Sequence, residues 1–160
     1  MLLALLTAAL ASAPATLTPA AVARMIDAEG ARRAVQTLDR GGAHTRFDAL
    51  LDRIAAGERR WLALVPRLAP GTDAGTAEGL RIAVAEALPR NPSAVLRLVP
   101  GTFTAEDACG FPMIEPTQSE TRSYFTAVIP AVQDVTEPAL QLAKRQCLAE
   151  LRKARVRSAP

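Results

Sequence analysis

The sequence predicts an all-α fold built from antiparallel helical hairpins and closed by one disulfide. Three observations carry this. Of 160 residues, 49% are hydrophobic but only 4% aromatic, so Leu, Val and Ala must fill the core, which suits packed helices. Apolar residues recur at i, i+3, i+4 and i+7 between capping residues and Gly or Pro stops. No stretch alternates apolar and polar positions, with β-branched enrichment, for long enough to make a strand. The length suits one domain with a real core, and the 22% of charged residues is ordinary for a folded chain. A disordered chain, a collagen and a disulfide-dense miniprotein are excluded.

The first element is read as a leader rather than as part of the domain. No charged side chain occurs between Met1 and Ala23, and Leu2 to Leu10 form a Leu/Ala stretch broken only by Thr7. Small residues follow from Ala11 to Ala15 with Ala-x-Ala spacing, so residues 1–15 resemble a secretory signal peptide cleaved near residue 15. The stretch is too short to span a bilayer, which takes about twenty apolar residues. The competing reading is an N-terminal core helix. The mature domain is then expected over residues 16–160.

Thr18-Pro19 opens the first helix with a capping hydroxyl and a proline at its first position. Its stripe of Val22, Met25 and Ile26 resumes as Ala31, Ala34, Val35 and Leu38, up to Gly41-Gly42. Thr45 and Asp48 have capping-box spacing before Phe47, Leu50, Leu51 and Ile54, and Gly57 stops this helix. Trp61, Leu64, Val65 and Leu68 mark a third helix that Pro66 should kink or shorten. Ala77, Leu80, Val84 and Leu88 make a fourth, closed by Pro89, and Asn91-Pro92 caps a short fifth. Residues 100–118 hold Pro100, Gly101, Gly110, Pro112 and Pro116, leaving room for one turn capped by Thr104 before Cys109. A helix interrupted by Pro130 carries Tyr124, Phe125, Val128, Ile129 and Val132. The last helix opens at Thr136-Glu137-Pro138 and presents Leu140, Ala143, Cys147, Leu148 and Leu151 on one side.

A repeat lies within this series. Arg67-Leu68-Ala69-Pro70-Gly71-Thr72 recurs thirty residues later as Arg97-Leu98-Val99-Pro100-Gly101-Thr102. The same offset carries Leu50 onto Leu80, Ile54 onto Val84 and Val65 onto Val95. Each unit would be a helical hairpin with a glycine at its turn, similar to HEAT-like arrays, and the shared chemistry of helix ends is the rival explanation. The run from Trp61-Leu62-Ala63-Leu64 through Leu68 to Gly75, Glu78-Gly79-Leu80, Ala87 to Pro92 and Val95-Leu96 resembles small exported proteins of Gram-negative bacteria without an assigned activity. The resemblance covers residues 47–99. It implies a periplasmic or secreted address and carries over no functional residue.

Export changes the meaning of the two cysteines. Cys109 and Cys147 form no Cys-x-x-Cys pair, which argues against a thioredoxin-like or zinc site. In an oxidising compartment one structural bridge is their simplest use, against two free buried thiols.

Candidates for chemistry are few. His44 is the only histidine and sits in a turn beside Gly42 and Ala43. Asp48 and Asp52 share a helix face at i, i+4, flanked by Arg46 and Arg53, as a solvated charged face would. Gly71 to Gly79 lacks the following lysine of a phosphate-binding loop. Asp73, Glu78 and Glu115 are the carboxylates that an envelope enzyme could use. No cofactor, catalytic residue or metal ligand is expected.

Two surfaces are candidates for a partner. Residues 139–160 carry six basic groups and one acidic, whereas residues 69–138 carry four and nine. The basic end comprises Lys144, Arg145, Arg152, Lys153, Arg155 and Arg157, with a tail expected from about residue 152. Arg152, Lys153 and Arg155 could meet an acidic protein or an anionic membrane surface, or could simply answer a helix dipole. Nucleic acid is not expected, because no aromatic residues interleave with the charges. In the irregular segment, Phe111, Met113 and Ile114 form either a contact for a protein partner or a plug on the open end of the bundle. The expected function is a non-enzymatic periplasmic or secreted interaction protein of the immunity or envelope-assembly type. A carboxylate enzyme and a membrane-surface protein are the alternatives.

Overall fold

The computed structural model describes residues 17–113 and 115–158. The expected leader at residues 1–15 and the partner candidate Ile114 lie outside the described residues. Everything regular that is described is helical. The first helix, α1 (Pro19–Glu29), is capped by the Thr18 hydroxyl, which accepts from the Ala21 N–H at 3.1 Å. The expected continuous helix to Leu38 is instead broken at Gly30, and α2 (Ala31–Leu38) starts anew. Gly30 has φ +82°, a left-handed conformation that glycine adopts without a Cβ penalty, so the chain turns while the apolar stripe persists on both sides.

Helix α3 (Arg46–Ala55) carries the capping box foreseen at Thr45 and Asp48 and buries Phe47, Leu50 and Ile54, while Leu51 is only half-buried. Pro66 does shorten the third helix, which is split into α4 (Arg59–Leu62) and α5 (Val65–Leu68) and followed by a 3-10 turn at Ala69–Gly71. Helix α6 (Ala74–Ala87) and helix α7 (Pro92–Leu96) follow, the second capped by the Asn91 side chain. A single turn, α8 (Ala105–Cys109), is held by Thr104 and Asp107. Then come α9 (Gln118–Gln133), a 3-10 turn at Pro138–Leu140 and α10 (Gln141–Arg157).

One expectation needs correction. Pro130 does not interrupt α9, because it falls in the last turn and removes one hydrogen bond from a carbonyl belonging to the exposed Thr126. The basic residues from 152 onward continue α10 as far as Arg157, so these cations lie at a helix C-terminus.

These helices stack in two rows. In one, α3 lies against α6 and α6 against α8. In the other, α2 lies against α5 and its following turn, α4 against α7, and α7 against both α9 and α10. The thirty-residue offset carries α3 onto α6, and these two helices pack against each other. The α9/α10 hairpin closes the C-terminal end. Lys144 supports this closure, donating to the carbonyl of Gln133, the last residue of α9, at 2.5 Å and to that of Val135 beyond it at 2.9 Å.

The Cys109–Cys147 bridge joins α8 to α10 across a sequence separation of 38, with Cα atoms 5.3 Å apart and both side chains fully buried. Cys147 sits in the inward stripe of α10 with Ala143, Leu151 and Ala154.

Candidate functional site

Helix α9 sets up the main concave surface. Its start is fixed by a capping box in which the Thr117 hydroxyl accepts from the Glu120 N–H and the Glu120 carboxylate accepts from the Thr117 N–H at 2.8 Å. The Thr117 hydroxyl also donates to this carboxylate at 2.7 Å, and that bond first, then the one from the Thr117 N–H, holds the Glu120 carboxyl below the usual range. Tyr124, Phe125, Val128 and Val132 face the core. The adjoining face of α9 and the end of α10 leave a groove of about 530 Å³, lined among others by Arg122, Phe125, Thr126, Ile129 and Arg155. A recess of about 310 Å³ shares Gln118, Thr121 and Ser158 with it and reaches Phe111 and Pro116. The larger groove has the size of a ligand site, with an apolar floor and a guanidinium contributed by each helix. No carboxylate is among the described residues lining it. Such a surface suits an anionic ligand that also brings an apolar group.

Phe111 closes one end. Its ring stacks on Phe125 with centroids 5.2 Å apart and meets Tyr124 edge-on at 5.3 Å. Two residues on, Met113 is 36% exposed. The Tyr124 hydroxyl lies 3.3 Å from the Ala85 carbonyl and 3.4 Å from that of Gly110, so one proton is shared by two acceptors. Burial, reinforced by the charge of Glu86, pushes this phenol well above its ordinary range.

A second cleft of about 500 Å³ lies on the other side of Tyr124 and is lined by Glu86, Arg90, Met113 and Tyr124, with Pro89, Pro112 and Ala127. Arg90 donates to the carbonyls of Glu86 at 2.9 Å and Ala55 at 3.3 Å, which ties it to helix ends. Burial raises the Glu86 carboxyl above the ordinary range, Arg90 opposes the rise and Asp52 adds to it. The folded chain then holds this proton more tightly than the unfolded chain, and stability falls as pH climbs from the ordinary glutamate range through the raised one. Glu86→Gln is expected to melt higher than the parent near neutral pH and to match it in acid below the carboxylate range. Paired thermal melts check this, and a constant difference across pH would remove the assignment.

The other candidates are occupied locally. The Asp73 carboxylate caps α6 by accepting from the Thr76 N–H and hydroxyl, which lower its pKa, and Glu78 pairs with Arg81. Glu115 and His44 are exposed, both at positive φ. Asp48 serves the α3 cap and Asp52 is exposed. Gly71 to Gly79 is the turn before α6 and its first half. Among the described residues no group of three or more His, Cys, Asp or Glu is placed to hold a metal ion. Arg152, Lys153 and Arg155 all lie exposed on α10, where Lys153 reaches Glu150 at 2.8 Å and Arg155 enters the groove. Arg122, on the facing helix, is the charged groove residue that the sequence does not point to. Its placement follows from how α9 packs on α10, which no local pattern reports.

No family model, curated protein or solved structure matches this chain. Among the described residues, no helix is long and apolar enough to cross a membrane.

Proposed function

We propose that the protein is an exported, non-enzymatic interaction protein, of the immunity or envelope-assembly type, that seats an acidic segment of a partner protein in the α9/α10 groove. The observation that carries this reading is the groove itself, where Phe125, Ile129 and Pro130 lie between Arg122 and Arg155. An acidic segment with one apolar anchor would neutralise both guanidinium groups while burying its anchor. Three features support the address. A buried structural disulfide belongs to oxidising compartments, the first fifteen residues resemble a secretory leader, and residues 47–99 resemble small exported proteins. The carboxylates that an enzyme could use are engaged one by one in caps and ion pairs or stand exposed, which favours the interaction class.

A photo-crosslinking residue at Thr126, within the groove, tests the reading in the exported protein. The captured protein should rebind in purified form, and Arg122→Glu with Arg155→Glu should weaken that binding about a hundredfold. Undiminished affinity in the double variant would reject the groove as the site.

A further inference from the structure

We propose that the outward face of α10 docks the protein on an anionic phospholipid membrane. Leu142, Ala149 and Val156 are spaced by seven residues and so share one stripe over ~21 Å of helix. Leu142 is 57% exposed and Val156 is 74% exposed, the largest values among the exposed large hydrophobic residues described. The opposite stripe, with Cys147 and Leu151, is fully buried and bridged to α8, so the exposed stripe belongs to a helix whose packing within the described chain is already complete.

Cations edge the stripe on both sides. Arg145 and Arg152 follow Leu142 and Ala149 by three residues on one flank, and Lys153 and Arg157 lie on the other. Ala149 lines a cleft together with the carboxylates Glu106 and Glu150, and Glu150 is already paired with Lys153. An apolar line one residue wide, bordered by long cationic side chains, fits a surface whose negative phosphates lie just outside its acyl chains. Arginine reaches the phosphates while Leu142 and Val156 enter the boundary below. A protein partner fits less well, because a stripe with two exposed large apolar residues offers far less than the ~800 Å² per side of a stable protein interface. This inference does not rest on the groove. Arg122 and Arg155 remain intact in its test.

The experiment is co-sedimentation of the disulfide-bonded protein with vesicles at low ionic strength. Vesicles of phosphatidylglycerol and phosphatidylcholine should take up the protein about tenfold more strongly than phosphatidylcholine alone. Arg145→Glu with Arg152→Glu should abolish the difference, and Leu142→Ser with Val156→Ser should weaken binding about fivefold. All four positions are exposed, and unchanged circular dichroism would establish that the variants fold. Equal uptake by the two vesicle types, no uptake by either, or binding retained in both variants would overturn the proposal. So would a dimer in sedimentation velocity that Leu142→Ser with Val156→Ser dissolves in the absence of vesicle binding, which would assign the face to a second copy.

Discussion

Replacing Cys109 and Cys147 together by alanine should lower stability by about 4 kcal/mol, the chain-entropy value for a loop of nearly forty residues. Alanine is the appropriate replacement, since both sites are fully buried and a serine hydroxyl would need a partner there. At this size the loss corresponds to a fall in melting temperature of about 10–15 °C. Thermal unfolding of the oxidised parent and of the double variant measures it, and a fall of less than about 3 °C would mean that the bridge adds little to the packing of α8 on α10. The effect extends to the groove. Phe111 stands two residues beyond Cys109, and Arg155 stands eight beyond Cys147, so the bridge anchors both of the chain segments that meet α9 there. Because the sulfurs are buried, the folded protein should resist dithiothreitol that reduces it readily in denaturant.

Gly71→Ala should be about as damaging as losing a large core side chain, costing about 3 kcal/mol, whereas Gly101→Ala should change stability by less than about 0.5 kcal/mol. The two glycines occupy the same place in the matching segments Arg67–Thr72 and Arg97–Thr102. They differ in what surrounds them. A Cβ on Gly71 would lie 2.3 Å from the Ala31 carbonyl carbon and 2.6 Å from the Arg32 nitrogen, so backbone would have to move. A Cβ on Gly101 would meet nothing within 4 Å. Gly71 is where the turn after α5 presses onto the start of α2, and that contact holds α2 to the helices that follow. Denaturant unfolding of both variants decides the point, and equal stabilities would refute this account of the α2 contact.

What could be read in advance followed from local chemistry. Thr45 with Asp48, Thr104 before Cys109, Asn91-Pro92 and the stop at Pro89 are signals within a few residues of the backbone groups they satisfy, and each marks a helix end where expected. The break at Gly30 was hidden because apolar spacing continues across it, and periodicity reports a face without reporting a turn. The Thr117–Glu120 box fits a known signature but follows Pro116, in a stretch whose prolines dominate its reading. Arg122 was not legible at all. On α9 it is one polar residue among several, and it becomes part of a site only when α10 brings Arg155 to the same groove. Phe125 reads as core and is core, yet one edge of it also floors the groove. Gly71 and Gly101 both follow Arg-Leu-x-Pro in sequence, and the approach of α2 to Gly71 is not visible there.

Export before folding is what gives the disulfide and the leader their meaning, and one measurement addresses it directly. The full chain is expressed with its own N-terminus in a Gram-negative host, cells are separated into periplasm and cytoplasm, and free thiols are alkylated at once before intact-mass analysis. The expected result is a periplasmic species that starts near residue 16 and takes up no alkylating reagent, with Cys109 and Cys147 joined. A cytoplasmic species that still starts at Met1 and carries two alkylated cysteines would contradict it.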